Sequence, residues 1–88
     1  MTSTVLIEAL ERELRLVRAK IRMYESRVKE LERKYGISSN TFLDRFEKGE
    51  LGDKEDFFLW WSYLRALSTL RRRVGELEEE LQKLQGIH

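Results

Sequence analysis

Arg15, Arg22 and Lys29 recur every seven residues, and Arg12, Arg18 and Arg33 flank them. Cations at that spacing share one face of a helix and could track a line of phosphates. The run Arg71-Arg72-Arg73 could extend such a surface. Against this, 17 basic residues meet 16 acidic ones, for a net charge of +1. Nucleic-acid binders generally carry a clear basic excess. The acidic run Glu76, Glu78, Glu79, Glu80 would repel a polyanion over the end of the chain. A solvated face with internal ion pairs is therefore the first reading of the stripe, and nucleic-acid binding the alternative.

Other chemistry finds fewer supports. Catalysis needs a poised acid, base or nucleophile. The one histidine, His88, is the last residue, and no cysteine occurs. Asp44, Asp53 and Asp56 cluster near the middle of the chain and read as surface or capping groups. No His/Cys set has zinc spacing and no calcium loop is present. "GELGD" lacks the lysine and glycine pattern of a phosphate loop. The expectation is a protein that is no enzyme and holds no metal and no cofactor.

The stretch "DFFLWWSYL", Asp56 to Leu64, is different: it places five large aromatic rings in nine residues. Its surroundings decide what the rings do. With no proline, helices can run long. A first helix is expected from about Thr4 to Tyr35, capped by the Thr-Ser-Thr cluster and ended by Gly36. Its apolar positions Ile7, Leu10, Leu14, Val17, Ile21, Tyr24, Val28, Leu31 and Tyr35 step by three and four without a slip. That is a heptad seam, with a at Ile7 and d at Leu10. A last helix, about 54–85, starts after Asp53 as N-cap and ends at Gly86. Its seam is Trp60, Tyr63, Leu67, Leu70, Val74, Leu77, Leu81 and Leu84. Gly75, outside that seam, reads as a tolerated surface glycine. Between them, Ser38 or Ser39 can cap a short helix, about 40–48, with Phe42, Leu43 and Phe46 on one side. Gly49 and Gly52 then turn the chain.

Two long helices of equal length and a short connection predict an all-α fold. It is an antiparallel hairpin with a short elbow helix, one domain over residues 1–88. That pairing sets Leu31 and Tyr35 near Phe57 and Phe58, Ile7 near Leu81, and Arg71–Arg73 near Glu11 and Glu13.

The apolar surface exceeds what one hairpin seam needs. Ala9, Leu16 and Met23 repeat at c and Leu6 sits at g. In the last helix Phe57 and Leu64 lie at e, Leu59 and Ala66 at g. Widened stripes serve helices with more than one neighbour. A homodimer of hairpins, a four-helix bundle with coiled-coil-like packing, is expected. The rival is a parallel coiled coil through the first helix, whose pairs Glu13–Arg18, Lys20–Glu25 and Arg27–Glu32 would all attract. Phe58 and Trp61 fall at f and b, positions normally left to water. Either the elbow helix covers them with Phe42, Leu43, Phe46 and Leu51, or they grip another protein. The candidate docking set is Phe42, Phe46, Phe57, Phe58, Trp61 and Leu64.

No apolar run reaches the ~20 residues of a membrane span, and the first residues lack the pattern of a secretory signal. With no cysteine, this fits a cytoplasmic protein. Charged residues form 38% of the chain. That suits a thermophile, and equally any long coiled helix.

The central phrase "LERKYGISSNTFLDRFEKGELGDKEDFFLWWSYLRAL", Leu31 to Leu67, resembles a family of small bacterial and archaeal proteins. They share Lys-Tyr-Gly, a Ser-capped turn, Phe…Arg-Phe, Gly-Glu-Leu-Gly-Asp and an aromatic helix start. Its members look like antitoxin partners in toxin–antitoxin gene pairs. The resemblance covers under half the chain. It implies a regulatory protein-binding role, leaves the partner's identity open with a small toxin-like protein as one candidate, and carries over no binding or catalytic residue.

Overall fold

A computed structural model describes residues 2–86, side chains from residue 4 onward. Met1, Ile87 and His88 lie outside the described residues, so the reading of His88 does too. Three helices follow in order: α1 Thr2–Tyr35, α2 Ser39–Glu47 and α3 Glu55–Leu84. α1 and α3 pack against each other as an antiparallel hairpin, 55 × 20 × 17 Å overall.

The caps depart from expectation at both long helices. α1 already includes Thr2, so the Thr-Ser-Thr cluster lies in the first turn rather than ahead of it. At α3 the N-cap is Lys54, whose side chain makes no capping bond; Asp53 stands one residue too early. Glu55 and Asp56 in the first turn supply the negative charge that a helix N-terminus favours. α2 is capped by Ser38, whose hydroxyl accepts from the Thr41 amide at 3.1 Å. α1 ends where Gly36, at φ +67°, donates its amide to the Glu32 carbonyl at 2.8 Å. A side chain there would be strained, which is why a glycine stands at this exit.

Both heptad seams close on each other. Leu14, Val17, Leu77 and Leu81 form one buried cluster near the open end, with Ile7, Leu10, Leu70 and Val74 packed around it. Ile7 thus lies beside Leu81's cluster, as the antiparallel pairing requires. Val28, Phe42, Phe57, Trp60 and Leu67 form a second cluster at the elbow, and Ile21 touches both. Tyr24, Leu31 and Tyr63 are half-buried on the same line, and so is Leu84 near the end of α3. α3 occupies the a/d seam of α1, the surface that the parallel coil would use. Its supposed partners are also engaged within the chain. Arg18 bonds Glu78 at 2.6 Å, Glu25 takes Arg71 at 2.9 Å, and Arg27 donates to the Tyr63 hydroxyl at 3.3 Å.

The ion pairs fix which sides of the hairpin correspond. At e positions Arg18–Glu78 and Glu25–Arg71 face each other. At g positions Arg73 grips Glu13 through Nε at 2.9 Å and Nη2 at 2.7 Å. Of the arginine run expected near Glu11 and Glu13, only Arg73 meets Glu13, while Arg71 pairs with Glu25. Exposed pairs of this kind contribute ~0–1 kcal/mol each, so they select register more than they hold the fold. The buried rings and leucines do the latter.

Candidate functional site

The elbow concentrates the aromatic surface, and α2 decides which rings are core. The stretch after Gly36 turns back so that α2 lies across the start of α3. Phe42 and Phe46, one turn apart, face α3 with ring centroids 5.3 Å apart. Phe42 stacks flat on Trp60, at 4.0 Å and 4° between planes. Both are fully buried. Aromatic rings of this size cover about 150–250 Å² each, and at ~25 cal/mol per Å² each contributes roughly 4–6 kcal/mol before entropy is subtracted. Phe57 is buried as well, against Tyr35 at 5.1 Å and Phe42 at 5.9 Å.

Phe42 and Phe57 therefore leave the docking set. Phe57 points into the angle between α1 and α2, and Phe42 is the residue that plugs α2 into α3. Leu64 is half-buried against the same cluster. Phe58 was expected beside Leu31 and Tyr35; it turns instead toward α2, edge-on to Phe46 at 5.6 Å, and stays 52% exposed. Trp61 is half-buried, 6.3 Å from Phe46, with the Arg65 guanidinium 5.1 Å above its ring. Phe46, Phe58 and Trp61 thus make a continuous ring surface on the outside of the elbow, bordered by Leu64.

Polar contacts hold this surface in place. The two serines divide the work: Ser38 caps α2, while Ser39 ties three helices. Trp60 donates its indole N–H to the Ser39 hydroxyl at 3.0 Å. Ser39 in turn donates its amide and hydroxyl to Glu32 Oε2, at 2.9 and 2.8 Å. On the other side of the elbow Asp56 accepts from Lys34 Nζ and from the Tyr35 hydroxyl, both at 2.7 Å. Those bonds hold the Asp56 carboxyl below its ordinary range, with Lys34 the larger cause. The same contact with Asp56 raises Lys34 and Tyr35. Read from its position alone, Asp56 is a surface or capping group. In the structure it clamps the end of α1 to the start of α3.

Asp44 pairs with Lys48 at 3.1 Å on the surface of α2, and Asp53 is exposed. Among the described residues no group of three His, Cys, Asp or Glu could hold a metal, and no helix is long and apolar enough to cross a membrane.

The phosphate-contact set is split. Arg15, Arg22 and Lys29 are exposed along α1. Arg71 and Arg73 are bonded to Glu25 and Glu13 on α1, and Arg72, exposed between them, sits at the f position farthest from α1. The three arginines of α3 do not extend the stripe of α1.

The surplus of apolar surface remains at the surface of the single chain. Leu16 is 60% exposed, and Val5, Leu6, Met23 and Leu59 are exposed too. The fold is an all-helical hairpin with an aromatic elbow. The chain matches no protein-family model, no curated protein and no solved structure.

Proposed function

We propose that this chain is a non-enzymatic protein-interaction module that pairs with a second copy and docks a partner polypeptide at the elbow. The observation that carries the docking site is the position of Phe58: a phenylalanine over half exposed, held edge-on to Phe46 beside the half-buried Trp61. Rings fixed at a surface by a rigid core lose little entropy on binding, and such rings dominate protein interfaces. Charged borders, from Arg45, Glu47 and Arg65, give the patch a polar rim. The pairing of two hairpins is supported by the exposed Leu6, Leu16 and Met23, which one chain leaves uncovered.

The resemblance of residues 31–67 to antitoxin-like proteins makes a small toxin the partner, acting in the cytoplasm. That identity rests on the sequence phrase alone. The test is co-expression with the product of the neighbouring gene. The proposal expects the two to co-purify, and expects Phe58→Ala with Trp61→Ala to release the partner while the variant keeps its helical spectrum. A complex indifferent to both substitutions removes the elbow from the interface.

A second reading keeps one supporting observation: Arg15, Arg22 and Lys29 line one exposed side of α1. Without Arg71 and Arg73 the surface is a single narrow row. Retention on DNA or RNA that vanishes between low and moderate salt would favour it.

A further inference from the structure

The face of α1 turned away from α3 has its own seam. Val5, Ala9, Arg12, Leu16, Ala19 and Met23 step by four and three, all exposed. These are the c and f positions, opposite the a/d seam that α3 fills. Among the described residues nothing covers them: α2 lies across the start of α3 at the elbow.

Charge decides what can lie there. The seam is flanked by b and g positions. Were a second α1 to pack parallel, each flanking residue would meet one five positions on in the other copy. Those pairs are Glu8 with Glu13, Arg15 with Lys20, Arg22 with Arg27, and Lys29 with Lys34. Every one is a like-charge pair. Reversing the second helix changes the balance. With Leu16 beside the second copy's Ala19, Glu8 faces Lys29 and Glu13 faces Lys20, each twice by symmetry. Only Arg15 against Arg22 repels, likewise twice, leaving four attractive contacts against two repulsive ones. The same register sets Leu16 against the small Ala19, places Ala9 level with Ser26, and lays the aliphatic stem of Arg12 along Met23 with its charge free to reach water.

We infer that this face is the homodimer contact, formed by two α1 helices running antiparallel about a twofold axis between Leu16 and Ala19. This rests on the homodimer reading given above and supplies its surface and orientation. The four helices then lie with both α1 inside and both α3 outside, and the two aromatic elbows point to opposite ends of the dimer. Each elbow stays open to its own partner.

The test uses the full chain, which has no cysteine of its own. Sedimentation at tens of micromolar comes first: a wild-type monomer overturns the homodimer reading itself. Given a wild-type dimer, Leu16→Glu is expected to give a monomer that keeps its helicity, because Leu16 lies outside the core, and whose melting temperature no longer rises with protein concentration. A Leu16→Glu dimer overturns this face while leaving dimerisation by another surface. Orientation is read by single cysteines. Ala9→Cys mixed with Ser26→Cys is expected to cross-link under mild oxidation, and neither variant alone to do so. Self-linked Ala9→Cys, or an unlinked mixture, overturns the antiparallel register.

Discussion

The rings of Phe42 and Trp60 lie parallel, their centroids 4.0 Å apart and their planes 4° from coplanar. One comes from the nine-residue α2 and the other from α3, and this contact is the main reason α2 has a fixed place. An isolated helix of nine residues is not stable in water. Phe42→Ala should therefore cost ~3–5 kcal/mol, in the range for emptying a buried aromatic site. Urea unfolding measures it. The near-ultraviolet signal of Trp60 should fall at the same time, as α2 loosens. A loss under ~1 kcal/mol would mean that α2 is held by something other than this stack.

Trp60 also carries the bond that the stack alone does not need. Trp60→Phe keeps most of the ring and deletes the N–H that Ser39 accepts. Ser39 still donates to Glu32, so no charge is left bare. The expected cost of the lost bond is ~1 kcal/mol, plus whatever the smaller ring leaves unfilled. Ser39→Ala strands the indole N–H and removes both hydroxyl bonds. In a double-mutant cycle the two changes should couple, since they share one bond. Additive losses would show that Ser39 acts through Glu32 alone.

Much of this architecture is written in the spacing of apolar residues. The unbroken three-four stepping from Ile7 to Tyr35 and from Trp60 to Leu84 is what two paired helices require, and each residue on it is buried or half-buried. The elbow is less legible for a physical reason. Periodicity within α3 ranks Phe57 and Phe58 by their angle to α1, yet their burial depends on where α2 comes to rest. That is set by the Gly36 turn and by Phe42, neither of which leaves a periodic trace in α3. The double role of the serine pair was half visible: either could cap. Only the docked geometry shows that Ser39 is needed elsewhere. Asp53 missed its role by a single position, an ordinary error at a helix end.

Asp56 gives the fold a dependence on pH. Its folded carboxyl titrates below the unfolded one, so its stabilisation is complete above the unfolded value and is lost as pH falls through the folded value. Lys34 and Tyr35 are shifted the other way. Their stabilisation is complete below their unfolded values of about 10 and is lost as pH rises through the raised folded values. Asp56→Asn removes the first effect and the largest cause of the other two. Its melting temperature should lie below wild type at pH 7 and converge with it in strong acid. A gap of constant size from pH 2 to pH 8 would show that the carboxylate's charge is irrelevant to the clamp.

Gly75 is an exposed glycine inside α3, and a methyl group added there would meet nothing within 4 Å. Its cost is then purely that of backbone freedom in the unfolded chain. Gly75→Ala should stabilise by ~1 kcal/mol. In a domain of this size that raises the melting temperature by about 4–8 °C. A neutral result would point to a demand on flexibility at this position that the packing does not reveal.

Phe57 and Phe58 make the sharpest comparison, because neighbouring identical residues have opposite environments. Phe57 is 8% exposed and touches both Tyr35 and Phe42. Phe58 meets only the edge of Phe46 among the rings and keeps half its surface in water. Phe57→Ala should cost ~3–5 kcal/mol, while Phe58→Ala should stay within ~1 kcal/mol of wild type. If Phe58→Ala proves equally destabilising, the ring belongs to the core and the elbow loses its one fully presented anchor. If it is neutral for folding, selection for a phenylalanine facing water needs another cause, and contact with a second protein is the one that repays the exposed area. Equilibrium unfolding of the two variants side by side decides between these outcomes before any partner is in hand.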